Sequence, residues 1–329
     1  MHDTAEQAVV ILGIGHRCGT NFLSDLLVQH ADTCRPTHVP EDFFVHHAQH
    51  LQTFAAGLHA SWGEGRRLET PQEEIGATLG QGLLALLRKQ TDRQAPYLVT
   101  KTPRADHVQL CPWLFPDQRL ILLIRDGRSV VESAVKSFHW SYRKAIDRWR
   151  RGARRILEFD RDHCGGSYPY LVVRYEDLVT NLEAELHRLL GFLGLDPRRY
   201  DFDAAAALPV RGSSTLKLHG EPLHWRPVAK RSDFSPLDRA AGWSLRQQAR
   251  FLWRAGAYQR LLGYSAEAPQ ADGLLGSLFQ RLLDLQWQRH TARHNLQPLG
   301  RQIFGLQLAD SADEPAVVSL PQPASRRAA

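Results

Sequence analysis

The sequence is poor in the features that mark metal-binding, secreted and membrane proteins. Its four cysteines, Cys18, Cys34, Cys111 and Cys164, form no CxxC pair, which argues against a zinc site and against a disulfide framework. No stretch reaches the ~18 consecutive apolar residues of a membrane span. The N-terminus lacks a basic segment followed by an apolar one, so we expect no signal peptide. We therefore expect a soluble, cytoplasmic protein with reduced thiols.

The composition is that of an ordinary globular protein with a basic charge balance. Hydrophobic residues make up 43% and charged residues 23% of the 329 positions, which is enough chain for one large α/β domain or two modest ones. The formal net charge is +6 and the isoelectric point is about 9.3. This balance favours anionic partners such as phosphates, sulfates, acidic glycans or nucleic acid.

Short apolar runs alternate with segments of helical spacing, and we find no internal repeat. The predicted strands are Ala8–Leu12, Tyr97–Thr100, Arg119–Ile124 and Tyr170–Val173. The predicted helices are Phe22–Leu27, Pro71–Lys89, a helix from about Ser129, Tyr142–Asp160, Asn181–Leu193 with an Asn cap, and residues 243–263. Residues 31–66 and 204–232 read as irregular. This alternation predicts a mostly parallel α/β sheet flanked by helices.

Polar clusters follow the predicted strands, where such sheets bind their ligands. They are Gly13–Thr20, Lys101, Arg125 and Arg174–Tyr175. The first is a glycine-rich turn that enters a helix, a good site for an anion because free backbone N–H groups and the helix dipole meet there. Its other reading is a tight turn with incidental glycines.

The first loop differs from a Walker A loop, because Gly19 is followed by Thr-Asn and not by Lys-Ser or Lys-Thr. ATP hydrolysis and kinase chemistry are therefore disfavoured, and a nucleotide handled without a metal is favoured. Beyond the third strand, Arg125 and Ser133 are spaced so that a turn brings both onto one phosphate. The alternative is an Arg–Asp turn followed by a serine on a solvated helix face.

Five motifs, in order, resemble those of sulfotransferases. They are Gly15-His-Arg-Cys-Gly-Thr-Asn-Phe-Leu23, Lys101-Thr-Pro103, Leu123-Ile-Arg-Asp-Gly-Arg-Ser-Val-Val-Glu-Ser133, Arg174-Tyr-Glu-Asp-Leu178 and Arg211-Gly-Ser-Ser214. The resemblance covers residues 8–264 and is to the tyrosylprotein-sulfotransferase-like and bacterial branch of the family. It implies a P-loop-like fold and a co-substrate, 3′-phosphoadenosine 5′-phosphosulfate (PAPS), handled without a metal.

The resemblance also assigns residues by position. The 5′-phosphosulfate would contact Arg17, Cys18, Gly19, Thr20 and Asn21, and the 3′-phosphate would contact Arg125 and Ser133, with Tyr175, Ser213 and Ser214 nearby. Two residues depart from the family pattern. Cys18 replaces a serine and leaves only its backbone N–H as a good donor, whereas Asn21 replaces a threonine with an amide that still donates.

Sulfuryl transfer requires cations at the leaving oxygen and a base for the acceptor. Arg17 and Lys101 are the candidate cations. Glu41 is the first candidate for the base, with His38 and Asp42 behind it. The histidines His46, His47 and His50 do not show metal-ligand spacing, so we expect no metal site.

We predict a sulfotransferase domain over residues 1–264, a helical extension over 265–310 and a disordered tail over 311–329. Residues 274–293 have an amphipathic pattern suited to packing on the core, to forming a homodimer or to touching a membrane. We expect the acceptor to be a hydroxyl or an amine, and the sequence leaves a small molecule, a glycan, a lipid and a protein equally open.

Two other functions compete with sulfuryl transfer. One is a kinase-like P-loop enzyme. The other is a basic protein that binds nucleic acid or another anion through residues 143–155, a stretch that also reads as an amphipathic helix with a solvated face. We favour the helix and expect no nucleic-acid partner.

Overall fold

A computed structural model of the chain describes residues 7–63, 72–211, 227–229, 235–266 and 280–285. The chain divides into two compact units, residues 1–271 and 272–329. The first unit holds the sheet and the helices discussed below. In the second unit, residues 280–285 are helical.

The first unit is built on a five-stranded sheet in the order β2-β3-β1-β4-β5. Every strand pair in this sheet is parallel, as the sequence predicted. The strands are β1 (Gln7–Gly13), β2 (Thr33–Cys34), β3 (Tyr97–Thr102), β4 (Arg119–Ile124) and β5 (Tyr170–Arg174). The sequence did not reveal β2, because a two-residue edge strand carries no periodicity.

Helices connect the strands and cover the sheet. They are α1 (Thr20–Leu27), α2 (Phe44–Gly63), α3 (Gln72–Arg88), α4 (Cys111–Leu114), α5 (Gly127–Phe138), α6 (Tyr142–His163), α7 (Tyr175–Thr180), α8 (Leu182–Leu193), α9 (Phe202–Ala206) and α10 (Leu245–Leu261). Among the described helices, none combines the length and the apolar character needed to cross a bilayer.

The core lies on both faces of the central strands. Val9 and Ile11 of β1 and Leu120–Leu123 of β4 are almost fully buried, as expected for parallel strands covered by helices on each side. Trp149 of α6 packs on Phe251 of α10, with ring centroids 5.6 Å apart. This packing fixes the helices that border the carboxyl edge of the sheet.

The prediction that residues 31–66 are irregular was wrong for α2. The histidines in this stretch obscured an amphipathic pattern, in which Val45, Ala48 and Ala55 are buried and α2 packs against α3. Tertiary burial of that narrow face stabilises a helix whose local signal is weak.

Two helices start close to the predicted positions but differ from the prediction in detail. Asn181 stands at the N-cap position of α8, but its side chain forms no capping hydrogen bond. It follows α7, which was not predicted, and its backbone N–H donates to the Asp177 carbonyl. α5 starts at Gly127, just before the predicted Ser129, because Asp126 caps it by accepting from the Arg128 N–H.

Candidate functional site

The candidate site begins with the loop between β1 and α1, residues 14–19. Gly19 has a φ of 110° and Arg17 a φ of 74°, both in the left-handed region. A Cβ on Gly19 would overlap the Tyr175 ring, and one on Gly13 would lie 2.8 Å from the Pro103 carbonyl oxygen. The loop can therefore take this shape only with glycine at both positions.

Cys18 contributes to the core beneath this loop. Its thiol is fully buried beside Gly13, and burial raises its pKa. Its backbone N–H donates to the Gly15 carbonyl at 3.3 Å. The side chain thus faces the core, whereas the neighbouring Thr20 and Asn21 lie in the first turn of α1.

Arg17 joins the two clusters that the sequence analysis treated separately. Its Nε donates to Ser133 Oγ of α5 at 3.1 Å, and its carbonyl accepts from Arg125 Nη1 at 2.9 Å. Burial, Arg125 and Arg239 lower the pKa of Arg17 to about 10. The guanidinium therefore stays charged at neutral pH.

Arg125 lies at the end of β4 and is 5% exposed. Its Nη2 donates to the Pro236 carbonyl, and its guanidinium stacks 4.0 Å from the centroid of the Tyr175 ring. Its Nε is buried without a hydrogen-bond partner among the described residues. A buried cationic N–H of this kind is suited to an anion, because leaving it without an acceptor is costly.

A segment that the sequence analysis missed, residues 235–243, covers this cluster. Ser129 Oγ donates to the Leu237 carbonyl at 2.8 Å, and Trp243 Nε1 donates to Glu132 Oε2 at 2.7 Å. Arg239 of this segment is half-buried, and burial together with the nearby charge of Arg125 lowers its pKa. Nothing in the local sequence distinguishes this arginine from a surface residue.

The Arg211–Ser214 motif is described only at its first residue. Arg211 pairs with Asp25 of α1, its Nε lying 2.8 Å from Asp25 Oδ2. Ser213 and Ser214 lie outside the described residues. Arg174 stacks on Tyr264 at 4.3 Å and donates to the Gly263 carbonyl, so it fastens the chain after α10.

Lys101 and Glu41 form an ion pair on the β3 side of the loop. Lys101 Nζ lies 3.3 Å from Glu41 Oε1, and the lysine is 8% exposed. Burial lowers the pKa of Lys101, although the carboxylates of Glu41 and Asp42 oppose this change. A buried cation therefore lies beside a half-exposed carboxylate.

The three candidate bases have different surroundings. Both carboxylate oxygens of Asp42 accept hydrogen bonds from the protein. His38 is exposed. Glu41 is half-exposed and contacts Lys101. Glu41 is therefore the candidate whose carboxylate is both accessible and next to a cation.

His16, inside the loop, was not singled out by the sequence analysis. Its ring meets Phe138 and Trp140 edge-on, at centroid distances of 6.0 and 5.6 Å. Burial, together with Arg104, Arg148 and Arg17, lowers its pKa to about 3, so the imidazole is neutral.

The remaining histidines of this region do not assemble a metal site. His46 Nδ1 lies 3.1 Å from Asp106 Oδ2, and Asp106 also pairs with Arg104 and Arg155. In the part of the chain that the structure describes, no group of three or more His, Cys, Asp or Glu side chains is placed to hold a metal ion.

Comparison with known proteins agrees with the family resemblance seen in the sequence motifs. The family model described as "Sulfotransferase family" matches residues 8–199, more than half of the chain. Protein-tyrosine sulfotransferase 2 of Gallus gallus is 27% identical over 158 residues, which cover 42% of this chain and 40% of that protein. The matched region thus spans less than half of that relative.

Solved structures resemble the chain over most of its length. The sulfotransferase domain of the Synechococcus PCC 7002 olefin synthase has a TM-score of 0.50 and 21% identity, covering 80% of this chain and 98% of that one. The sulfotransferase domain from the curacin biosynthetic pathway has a TM-score of 0.49 and 19% identity, covering 80% and 100%. The first of these likenesses shows a shared fold.

Proposed function

The chain belongs to the sulfotransferase family, and on that premise we propose that it transfers a sulfuryl group from PAPS to a hydroxyl or amine of an acceptor. The main observation behind the proposal is the position of Arg17 in the loop at the start of α1. The Arg17 side chain donates a hydrogen bond to Ser133, and the Arg17 carbonyl accepts one from Arg125. The two candidate anion sites are thereby joined, which suits a nucleotide with phosphate groups at both its 5′ and 3′ positions.

The 5′-phosphosulfate would lie at the loop and the first turn of α1. The helix N-terminus offers backbone N–H groups and a partial positive charge. Arg17 adds a full charge, and Thr20 and Asn21 add side-chain donors, while Cys18 and Gly19 would take part through their backbone only.

The 3′-phosphate would lie at Arg125 and Ser133. Ser133 is 4% exposed, and Arg125 holds a buried Nε without a partner among the described residues. The Tyr175 ring packs against both Arg125 and Gly19, so it would hold the two phosphate subsites at a fixed spacing. Ser213 and Ser214 stay assigned to this site only by the resemblance.

In the proposed reaction, the acceptor oxygen or nitrogen forms a bond to sulfur while the bond from sulfur to the phosphate oxygen breaks. The electron pair of the broken bond stays on adenosine 3′,5′-bisphosphate. Arg17 and Lys101 would stabilise this negative charge. Because Arg17 remains protonated, it acts by charge and hydrogen bonding, and Glu41 accepts the acceptor proton.

The two competing functions have less support. The loop lacks the lysine of a kinase-like P-loop. In the basic stretch 143–155, Trp149 is 1% exposed and is unavailable for base stacking. Arg155 pairs with Asp106, and Arg148 lies 4.5 Å from the Trp140 ring centroid. This stretch is an amphipathic helix that packs on its neighbours.

Ligand binding tests the donor assignment. Adenosine 3′,5′-bisphosphate should raise the melting temperature, whereas ATP with Mg²⁺ should not. Arg125→Ala should weaken the bisphosphate Kd by about 10–100-fold, because charge-assisted bonds to a buried anion are lost. Arg161→Ala is the matched control, since Arg161 is an exposed arginine on α6. Stabilisation by ATP with Mg²⁺ but not by adenosine 3′,5′-bisphosphate would overturn the proposal.

Transfer itself is measured with ³⁵S-labelled PAPS and a panel of acceptors: a phenol, a tyrosine peptide, an alkyl alcohol and an amino sugar. Arg17→Ala and Lys101→Ala should each reduce label transfer by at least about 100-fold, as expected when a charge aimed at the transition state is removed. Full activity in Arg17→Ala would refute the role given to that residue.

A further inference from the structure

The loop that follows β2 crosses the end of β3 and is fastened there by Asp42. Thr100 Oγ1 donates to Asp42 Oδ2 at 2.6 Å, and Thr102 Oγ1 donates to Asp42 Oδ1 at 3.1 Å. The Asp42 N–H donates to the Lys101 carbonyl at 3.2 Å. Three consecutive strand residues therefore hold one aspartate.

This crossing places neighbouring loop residues on opposite faces of one strand. Side chains alternate along a strand, so Thr100 and Thr102 project from one face of β3 and Lys101 from the other. Asp42 meets the threonines, whereas Glu41 meets Lys101 at 3.3 Å. Fixing Asp42 on its side thus determines where Glu41 can lie.

The backbone beside Asp42 is strained. Phe43 has a φ of 52°, a conformation that costs a bulky residue about 1–2 kcal/mol. Its N–H donates to Thr102 Oγ1 at 3.0 Å, which ties this residue to β3 as well. The hydrogen bonds to β3 offset the strain and keep the chain in this path.

Capping α2 does not account for the whole arrangement. Asp42 Oδ1 accepts from the Phe44 N–H at 2.8 Å, which is enough to cap the helix. The second oxygen is committed to Thr100, which lies far away in sequence. Asp201 is a helix cap for comparison with Asp42. Its side chain accepts from the Ala204 N–H within the first turn of its own helix, α9.

We propose that Asp42 is a positioning residue that holds Glu41 against Lys101 for sulfuryl transfer. This assignment rests on the proposed function, since Asp42 acts only through Glu41 and Lys101, which that function places at the reacting groups. The Asp42 carboxylate also adds negative charge near Lys101 and so favours its charged form.

The experiment compares four variants in the full chain: Asp42→Ala, Thr100→Val, Glu41→Gln and Asp201→Ala. Asp42→Ala removes the hydrogen bonds that the Asp42 carboxylate accepts from Thr100 and Thr102 of β3. Thr100→Val removes one donor but leaves the aspartate and its cap of α2 in place. Asp201→Ala removes a cap of the same chemistry outside the candidate site and serves as the matched control.

Asp42→Ala should lower kcat by about 10–100-fold, because a misplacement of about 1 Å is enough for such a loss. The Kd of adenosine 3′,5′-bisphosphate should change less than about threefold. Thr100→Val should also lower kcat, whereas Asp201→Ala should leave kcat unchanged. Combined with Glu41→Gln, Asp42→Ala should cause no further loss, because both act through one carboxylate.

Additive losses in the double variant, or an Asp42→Ala effect no larger than that of Asp201→Ala, would overturn the proposal. A crystal structure of Asp42→Ala supplies a readout that needs no acceptor. We expect the Lys101–Glu41 contact to be lost, and its retention at 3.3 Å would also overturn the proposal. If the contact is lost in Asp42→Ala but the wild-type protein transfers no label, the proposed function fails while the structural part of the inference stands.

Discussion

Gly15 and Gly19 lie in the same turn, yet their surroundings differ completely. A Cβ on Gly15 would meet nothing within 4 Å, and its φ lies outside the left-handed region. A Cβ on Gly19 would overlap the Tyr175 ring at a φ of 110°. One glycine is required by conformation and packing, and the other is required by neither.

Gly19→Ala should therefore reduce the free energy of unfolding by about 2–4 kcal/mol, from backbone strain and overpacking together. Gly15→Ala should change it by less than about 1 kcal/mol. Urea denaturation followed by circular dichroism measures both. Equal stability of the two variants would show that Tyr175 moves aside without cost and that the turn tolerates a side chain.

The same contrast appears at the scale of an element in α3. A Cβ on Gly80 would overlap the carbonyl oxygen of Leu114 at the end of α4, whereas one on Gly82 would meet nothing within 4 Å. Gly80 is buried and Gly82 is exposed on the same helix. Gly80 thus lets α3 approach α4 closely.

Gly82→Ala should stabilise the protein by about 0.5–1 kcal/mol, because alanine has the better helix propensity and nothing obstructs it. Gly80→Ala gains the same propensity but should destabilise by about 1–3 kcal/mol through overpacking. Thermal unfolding of both variants beside the wild type gives the comparison. Destabilisation by Gly82→Ala would contradict the exposed, unobstructed position.

Glu132 acts at the scale of the whole first unit, because it connects three parts of the chain. Its carboxylate accepts from Tyr142 of α6 and from Trp243, and it pairs with Lys136 of its own helix. Burial raises the pKa of this carboxyl, but the three partners outweigh burial and the pKa is lowered.

A carboxyl with a lowered pKa stabilises the fold fully above its unfolded-state value of ~4.3. The contribution disappears as the pH falls through the folded-state pKa. Glu132→Gln should therefore cost about 1–3 kcal/mol at pH 7 and less at pH 3. Glu158→Gln is the control, since Glu158 is about half exposed and pairs with Arg154 in its own helix. A pH-independent loss in Glu132→Gln would mean that shape, and not charge, is what Glu132 contributes.

The sequence alone determined the sheet and most of its helices. Strands buried on both faces leave continuous apolar runs, so β1 and β4 were recognised from composition. The shorter apolar runs at Tyr97 and Tyr170 marked β3 and β5, although β5 lies at the edge of the sheet and is mostly half-buried. The polar ends of those strands predicted the edge for a ligand site, because parallel strands bring their carboxyl ends together. The family pattern then named Arg17, Lys101 and Arg125 as candidates.

Tertiary structure decided which of these side chains meet and what surrounds them. The bond from Arg17 to Ser133, the burial of the Cys18 thiol and the covering of Arg125 by residues 235–243 join parts of the chain that are distant in sequence. The formation of α2 also depends on tertiary structure, because its narrow apolar face is buried only when the helix packs against α3. A local sequence pattern reflects how a residue is solvated, whereas a contact depends on where the whole fold places two elements. Asp42 was therefore predicted only as a candidate base behind Glu41, and its bonds to β3 came from the tertiary structure.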